Sequence, residues 1–324
     1  MCSIFMELGL KNFLREKECG FEMEIEEIGE NIMIAEKEGN FIVFVNEKIC
    51  LGPMGIAIED IKSFKMLELK EGDNIKVDKE CIFFSDAENI DISDAEIVDL
   101  RLSQNLGTLS HKKVRTNLLH IEEFLYNYGK RSGMLPVLFN IGDYIGEFKT
   151  ESDLKMYNNM YTSLIYPKMI SLFEKLIQGR FEKVEFCIRD LIEFGTENNE
   201  YSNGFLLGLM TSLIYGGMAY GVNMDGAVML NRHLMKGIES VNRTENFYTS
   251  ILNEAVDGGS PKIIKDIIES TITETDSEVL DEELRHLIKF DKLSGTDIIC
   301  GVYTGIRLME KDKFRNSIDK LSQV

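Results

Sequence analysis

Near residue 105 the hydrophobic period of this chain changes, and the change constrains its fold more than any other feature. Before it, apolar residues come in short alternating runs; after it they recur at helical spacing. Phe21-Glu22-Met23-Glu24-Ile25-Glu26 alternates strictly, as a half-buried strand does. Asn31–Ala35 and Phe41–Val45 flank the polar turn Glu36–Asn40, a hairpin pattern. Ile49–Leu51, Met66–Leu69, Ile75–Val77, Cys81–Phe84 and Glu96–Asp99 continue the series of short apolar runs. Such a series predicts a small antiparallel barrel or sandwich over residues 1–105.

From residue 106 to 324 the expectation is a mainly helical domain, giving an α+β chain of two domains. Ser110 is placed to cap a helix to Tyr128 with Val114, Leu118, Ile121 and Leu125 on one face. Ser152-Asp153 opens another helix, with a break or kink expected at Pro167. Phe181–Phe194 is amphipathic and stops at Gly195. Further helices are predicted over Met224–Glu239, Phe247–Val256, Pro261–Ile272, Glu282–Ile288 and Ser294–Met309.

Composition narrows the function classes. A formal net charge of −19 over 324 residues points away from nucleic acid and anionic membranes, both of which need a basic face. Tyr201–Met224 carries no charge and is long enough to span a bilayer. It also holds Asn203, Thr211, Ser212, Asn223 and several glycines, and its flanks are not basic, so a buried core helix is expected. The cysteines at positions 2, 19, 50, 81, 187 and 300 form no C-x-x-C and neighbour no histidine cluster, which predicts reduced thiols in a cytoplasmic protein and no metal centre. No secretory leader is read in Met1–Leu14. His111, His120, His233 and His286 lie apart and form no triad order with a serine or cysteine. Arg189 and Arg232 read as surface ion-pair residues, and the methionines as core filler.

Two polar, glycine-bearing segments lead directly into helices: Gly195–Gly208 and Ser294–Gly305. Aligning Gly208 on Gly301 also superposes Phe205 on Ile298, Leu206 on Ile299 and Thr211 on Thr304. Unpaired N–H groups at a helix start favour a bound anion, and glycine lets a ligand approach the backbone. Glycines spaced by four equally serve close helix packing, and Asp297 equally serves its own helix start. Both readings stand at this point.

Ser294-Gly295-Thr296-Asp297-Ile298-Ile299-Cys300-Gly301 resembles the S-G-x-D-x-L-x-G signature of the AllH-type family, the third subunit of a three-part oxamate carbamoyltransferase. Asn253–Gly258 is similar to a helix of that family ending in alanine and glycine. The family's other signature, G-L-T-P-S-G-D-D-F-L-x-G, is altered: Tyr201-Ser202-Asn203-Gly204 stands where the family has S-G-D-D, although Phe205, Leu206 and Gly208 are kept. By layout the resemblance covers most of the chain.

What the resemblance implies is a subunit of a carbamoyltransferase-like complex that interconverts oxalurate plus phosphate with carbamoyl phosphate plus oxamate, in purine and allantoin breakdown. It implies other subunits as partners, a small anionic substrate, and chemistry that needs no metal or cofactor. Asp297 is then the catalytic candidate, with Ser294, Gly295, Thr296, Ser202, Asn203 and Gly204 binding substrate. The loss of both acids from the first signature leaves a second reading open: a non-catalytic assembly or regulatory partner of an acyl-CoA-synthetase-like protein. A stand-alone small-anion binder is the third.

Overall fold

The computed structural model describes residues 3–17, 20–84, 89–100, 108–140, 160–193, 200–241, 247–289 and 294–322, with the backbone alone at 140, 160, 161 and 200. They fall into two compact units: Met1–Arg101 with Gly259–Ile263, and Leu102–Gly258 with Ile264–Val324.

The first unit is one curled, nine-stranded sheet. In chain order its elements are β1 (Ile4–Glu7), α1 (Leu8–Glu16), β2 (Phe21–Ile28), β3 (Ile32–Lys37), β4 (Asn40–Val45), β5 (Gly55–Ile58), β6 (Asn74–Val77), β7 (Cys81–Phe83), β8 (Asn89–Asp91) and β9 (Glu96–Val98). The spatial order is β8-β7-β6-β2-β3-β4-β5-β1-β9, so the sheet is an open half-barrel. The β3–β4 hairpin forms where the alternation places it. Lys37 pairs Asn40 across a two-residue turn, with Glu38 and Gly39 both at positive φ, the primed geometry that suits strand twist. One face of the sheet buries Met23, Ile25, Met33, Ile42, Phe44, Ile75 and Val77, the alternate positions of four strands.

Three features depart from the expectation. The sheet is mixed: β4 pairs β5 in parallel, and β1 pairs β9 in parallel. Ile49–Leu51 and Met66–Leu69 are not strands; Lys48–Cys50 and Phe64–Leu67 form 3-10 turns instead, the second anchored by the buried Phe64. And an amphipathic helix, α1, interrupts the strands. Its cap is Glu7, whose carboxylate accepts from the Leu10 N–H at 2.9 Å, while Leu10 and Leu14 point into the sheet's core.

The second unit holds α2 (His111–Tyr128), α3 (Leu135–Asn140), α4 (Met160–Gln178), α5 (Val184–Glu193), α6 (Glu200–Ala219), α7 (Met224–Glu239), α8 (Phe247–Val256), all but the first two residues of α9 (Lys262–Ile272), α10 (Ser277–Ile288), α11 (Gly295–Met309) and α12 (Asp312–Leu321). Ser110 caps α2 as expected, its hydroxyl accepting from the Lys113 N–H. The predicted helix start at Ser152-Asp153 and the stop at Gly195 lie outside the described residues. Helix α4 runs through Pro167 without a break. Burial of Ile165, Met169, Leu172 and Phe173 on one face holds it, each buried side chain of this kind contributing about 1.5–3 kcal/mol.

The uncharged run after Tyr201 is α6, whose residues from Phe205 to Tyr215 are all buried. No helix among the described residues is long and apolar enough to cross a membrane. Helix α6 packs more extensively on α11 than any other two elements pack on each other. These two helices are the axis of the unit, and they position the candidate site.

Candidate functional site

Helices α6 and α11 lie side by side and parallel, and glycines make this possible. A Cβ on Gly208 would collide with the Ile298 carbonyl, and one on Gly301 would collide with the Phe205 carbonyl. Toward the helix starts, Gly204 faces the Ser294 carbonyl oxygen, which a Cβ would meet at 3.3 Å, and the Asp297 Cβ, which it would meet at 3.5 Å. Contacts therefore advance together along both helices. Their N-termini, and the positive ends of both dipoles, come to the same end of the bundle. The described parts of the two glycine-bearing segments, Ser202–Gly208 and Ser294–Gly305, which the sequence places far apart, meet here.

Further along the pair, hydroxyls are satisfied by their own helix. Thr211 donates to Leu207 O, Ser212 to Gly208 O and Thr304 to Cys300 O, all at 2.7 Å. Buried charge in the second half of α11 is also paired. Glu122 on α2 accepts from the Tyr303 hydroxyl at 2.5 Å and from Arg307 at 3.0 Å, and burial pushes the Tyr303 phenol far up.

At the helix starts the accounting differs. Ser202, Asn203, Ser294, Thr296 and Asp297 are each 6% exposed or less. Among the described residues, Ser202 Oγ, Asn203 Oδ1, Ser294 Oγ and Asp297 Oδ2 are buried with no hydrogen-bond partner. Ser294 is the N-cap position of α11, and its hydroxyl makes no capping bond. An unpaired buried polar atom costs about 1–3 kcal/mol, so four around one pair of helix starts mark a place where a polar ligand would be stabilising.

Asp297 is the centre of the cluster. Its Oδ1 accepts from the Met134 N–H at 2.6 Å, and its backbone N–H bonds Ser294 O at 2.8 Å. Complete burial pushes its carboxyl up from 3.8 to about 7; the Ser294 hydroxyl, which lies nearby without forming a well-aligned hydrogen bond, the Met134 amide and the Lys130 charge oppose the shift. The same burial, followed by the Asp297 charge, raises the Cys300 thiol one turn on, leaving it a poor nucleophile. A carboxyl titrating near neutrality can take or give a proton, and it can accept from an amide N–H.

A turn after α2 closes the cluster, and no side-chain motif announces it. The Lys130 N–H donates to Thr296 Oγ1 at 3.0 Å. Gly133 has φ +75°, and a Cβ there would stand 2.7 and 2.8 Å from the two Asp297 carboxylate oxygens and 2.9 Å from the Tyr201 ring. Gly133 thus lets the backbone lie directly on the carboxylate while Met134 hydrogen-bonds it. In the sequence, Ser132-Gly133 marks only a helix end.

The remaining candidates are dispersed. Gly295 fits against the Leu287 carbonyl at the end of α10, where a side chain would collide. His120 faces Asp281 at 3.5 Å and His111 meets the Tyr220 ring edge-on. Arg189 pairs Asp190 and Glu193 at the surface. Cys50, Cys81, Cys187 and Cys300 are free thiols. Comparison with protein-family models, curated proteins and solved structures finds no match to this chain.

Proposed function

We propose that the paired starts of α6 and α11 bind a small substrate carrying both a carboxylate or phosphate and an amide, and that the chain acts as a subunit of a carbamoyltransferase-like complex of the AllH type. One observation supports this reading above the others. The S-G-x-D segment at Ser294–Asp297 and the altered segment at Ser202–Gly204 lie at the same end of one parallel helix pair, with unpaired buried oxygens on both. Two aligned helix starts suit an anionic group, and Asp297 Oδ2 suits the amide. In phosphorolysis of oxalurate, phosphate attacks the carbamoyl carbon and the C–N bond to oxamate breaks. The leaving nitrogen needs a proton, and a carboxyl with a pKa of about 7 in the folded chain is suited to supply it. The developing charge on the carbamoyl oxygen would be met by donors at the helix starts. The proposed setting is the cytoplasm, in purine or allantoin breakdown.

A non-catalytic assembly role is the second reading, and Asn203 favours it. The family pattern has an acid there, and an amide cannot act as a base. Affinity capture of the tagged chain from its native cells separates the two. Co-recovery of an acyl-CoA-synthetase-like subunit and a further partner, with oxalurate phosphorolysis lost on Asp297→Ala but assembly kept, supports the catalytic reading. Turnover unchanged by Asp297→Ala supports the assembly role. A chain recovered alone contradicts both.

A further inference from the structure

A second site lies wholly within the sheet unit. The edge strands β8 and β9 are joined by the short link Ile92–Ala95, and α1 lies beside that link. Between them is a cavity of about 310 Å³. Its floor is apolar: Met6, Leu14 and Ile92 are each 3% exposed or less. Its rim carries Lys11 and Arg15 from α1 and Lys79 from the β6–β7 turn, with Glu80 the one acid among the lining residues.

Three cations around one small cavity are unexpected in a chain with 55 acidic and 36 basic residues. Three other cations of this unit find partners nearby. Lys48 pairs Glu96 at 2.8 Å and sits over the Phe5 ring, while Lys17 and Lys76 lie over Phe13 and Phe83. Among the described residues, no ion pair holds Lys11, Arg15 or Lys79. Three cations lining one cavity raise the local potential and attract an anion, and the planar arginine fork suits the two oxygens of a carboxylate or phosphate. A cavity near 300 Å³ with an apolar floor suits a small organic body better than a hydrated inorganic ion.

We infer that this cleft under α1 binds a small organic anion, its carboxylate or phosphate head held by Lys11, Arg15 and Lys79 and its apolar body resting on Met6, Leu14 and Ile92. The inference is independent of the function proposed for the helix pair. Calorimetric titration of the full chain with phenyl phosphate and with benzoate tests it, and the stronger of the two identifies the head group. Saturable one-to-one binding is expected for at least one of them. Arg15→Ala and Lys79→Ala should each weaken it about tenfold, the loss of one charge-assisted contact. Asp297→Asn should leave it unchanged, and phenol should bind about tenfold or more weakly. The partly or fully exposed rim residues can be replaced without loss of fold, which thermal melting verifies. The inference is overturned if neither probe binds saturably, if the Lys11→Ala/Arg15→Ala/Lys79→Ala variant binds as tightly as the parent, or if inorganic phosphate binds as well as phenyl phosphate.

Discussion

The two helix starts at the end of the bundle share a scaffold and differ in chemistry. Both helices keep a glycine at the point of closest approach, Gly208 in α6 and Gly301 in α11, and both carry a threonine three residues on that bonds back to its own helix. At their tips they diverge. The α11 start presents a buried carboxyl fixed by the Met134 N–H; the α6 start presents Asn203, whose oxygen has no partner among the described residues. Packing between parallel helices therefore constrains the stem of each segment, while the tips remain free to differ. Under the proposed function, proton transfer therefore rests on the α11 side.

The sharpest way to break the pair is through its stem. Gly208→Ala or Gly301→Ala should cost about 3 kcal/mol or more, because each Cβ meets backbone that cannot move aside. Gly216→Ala, further along α6, is the matched control. Its Cβ would meet only the flexible Met309 side chain at 3.4 Å, so urea unfolding should give little change or a small gain.

The tips should differ in pH response. The folded-state pKa of Asp297 is raised from 3.8 to about 7, so between roughly pH 4 and 7 the folded chain holds a proton that the unfolded chain releases. Its contribution to stability is fully present below the lower value, and it is lost as pH rises through the upper one. Over that window the contribution should fall by a few kcal/mol, an order-of-magnitude figure from about 1.4 kcal/mol per pKa unit. Asp297→Asn should remove this slope, seen as a stability difference between variant and parent that grows from pH 4 to 7 and then levels. Asn203→Asp asks whether the α6 tip can carry the same chemistry. A second buried carboxyl should cost about 2 kcal/mol at pH 8 and markedly less at pH 5, where it is protonated. A smaller loss is expected at the closing turn. Gly133→Ala should cost about 1–2 kcal/mol through its positive φ, with more if the Asp297 carboxylate cannot shift.

How much of this the sequence discloses follows from which interactions are local. The β3–β4 hairpin and the helix capped by Ser110 are legible because alternation, turn residues and caps lie within a few positions of each other. The parallel pairings of β4 with β5 and of β1 with β9 are not, since no local pattern encodes a strand's distant neighbour. Helix α1 escapes notice for another reason: its cap is a glutamate, outside the usual capping set, and only Leu10 and Leu14 mark its buried face. At the site, glycine-bearing helix starts single out the two segments, and the resemblance then points to Asp297, Ser294 and Ser202–Gly204 within them. Their convergence is not legible, because it depends on backbone meeting backbone at Gly208 and Gly301. Lys130 and Met134 each contribute a main-chain N–H group, which side-chain identity does not reveal, and the Lys130 charge adds to them.

The most direct test of the helix-pair site is calorimetric titration of the full chain with oxamate, which carries a carboxylate and an amide in one small molecule. Saturable one-to-one binding, weakened about tenfold or more by Asp297→Ala and unchanged by Arg15→Ala, is the expected result. Absence of binding, or equal affinity in the Asp297→Ala variant, would contradict it.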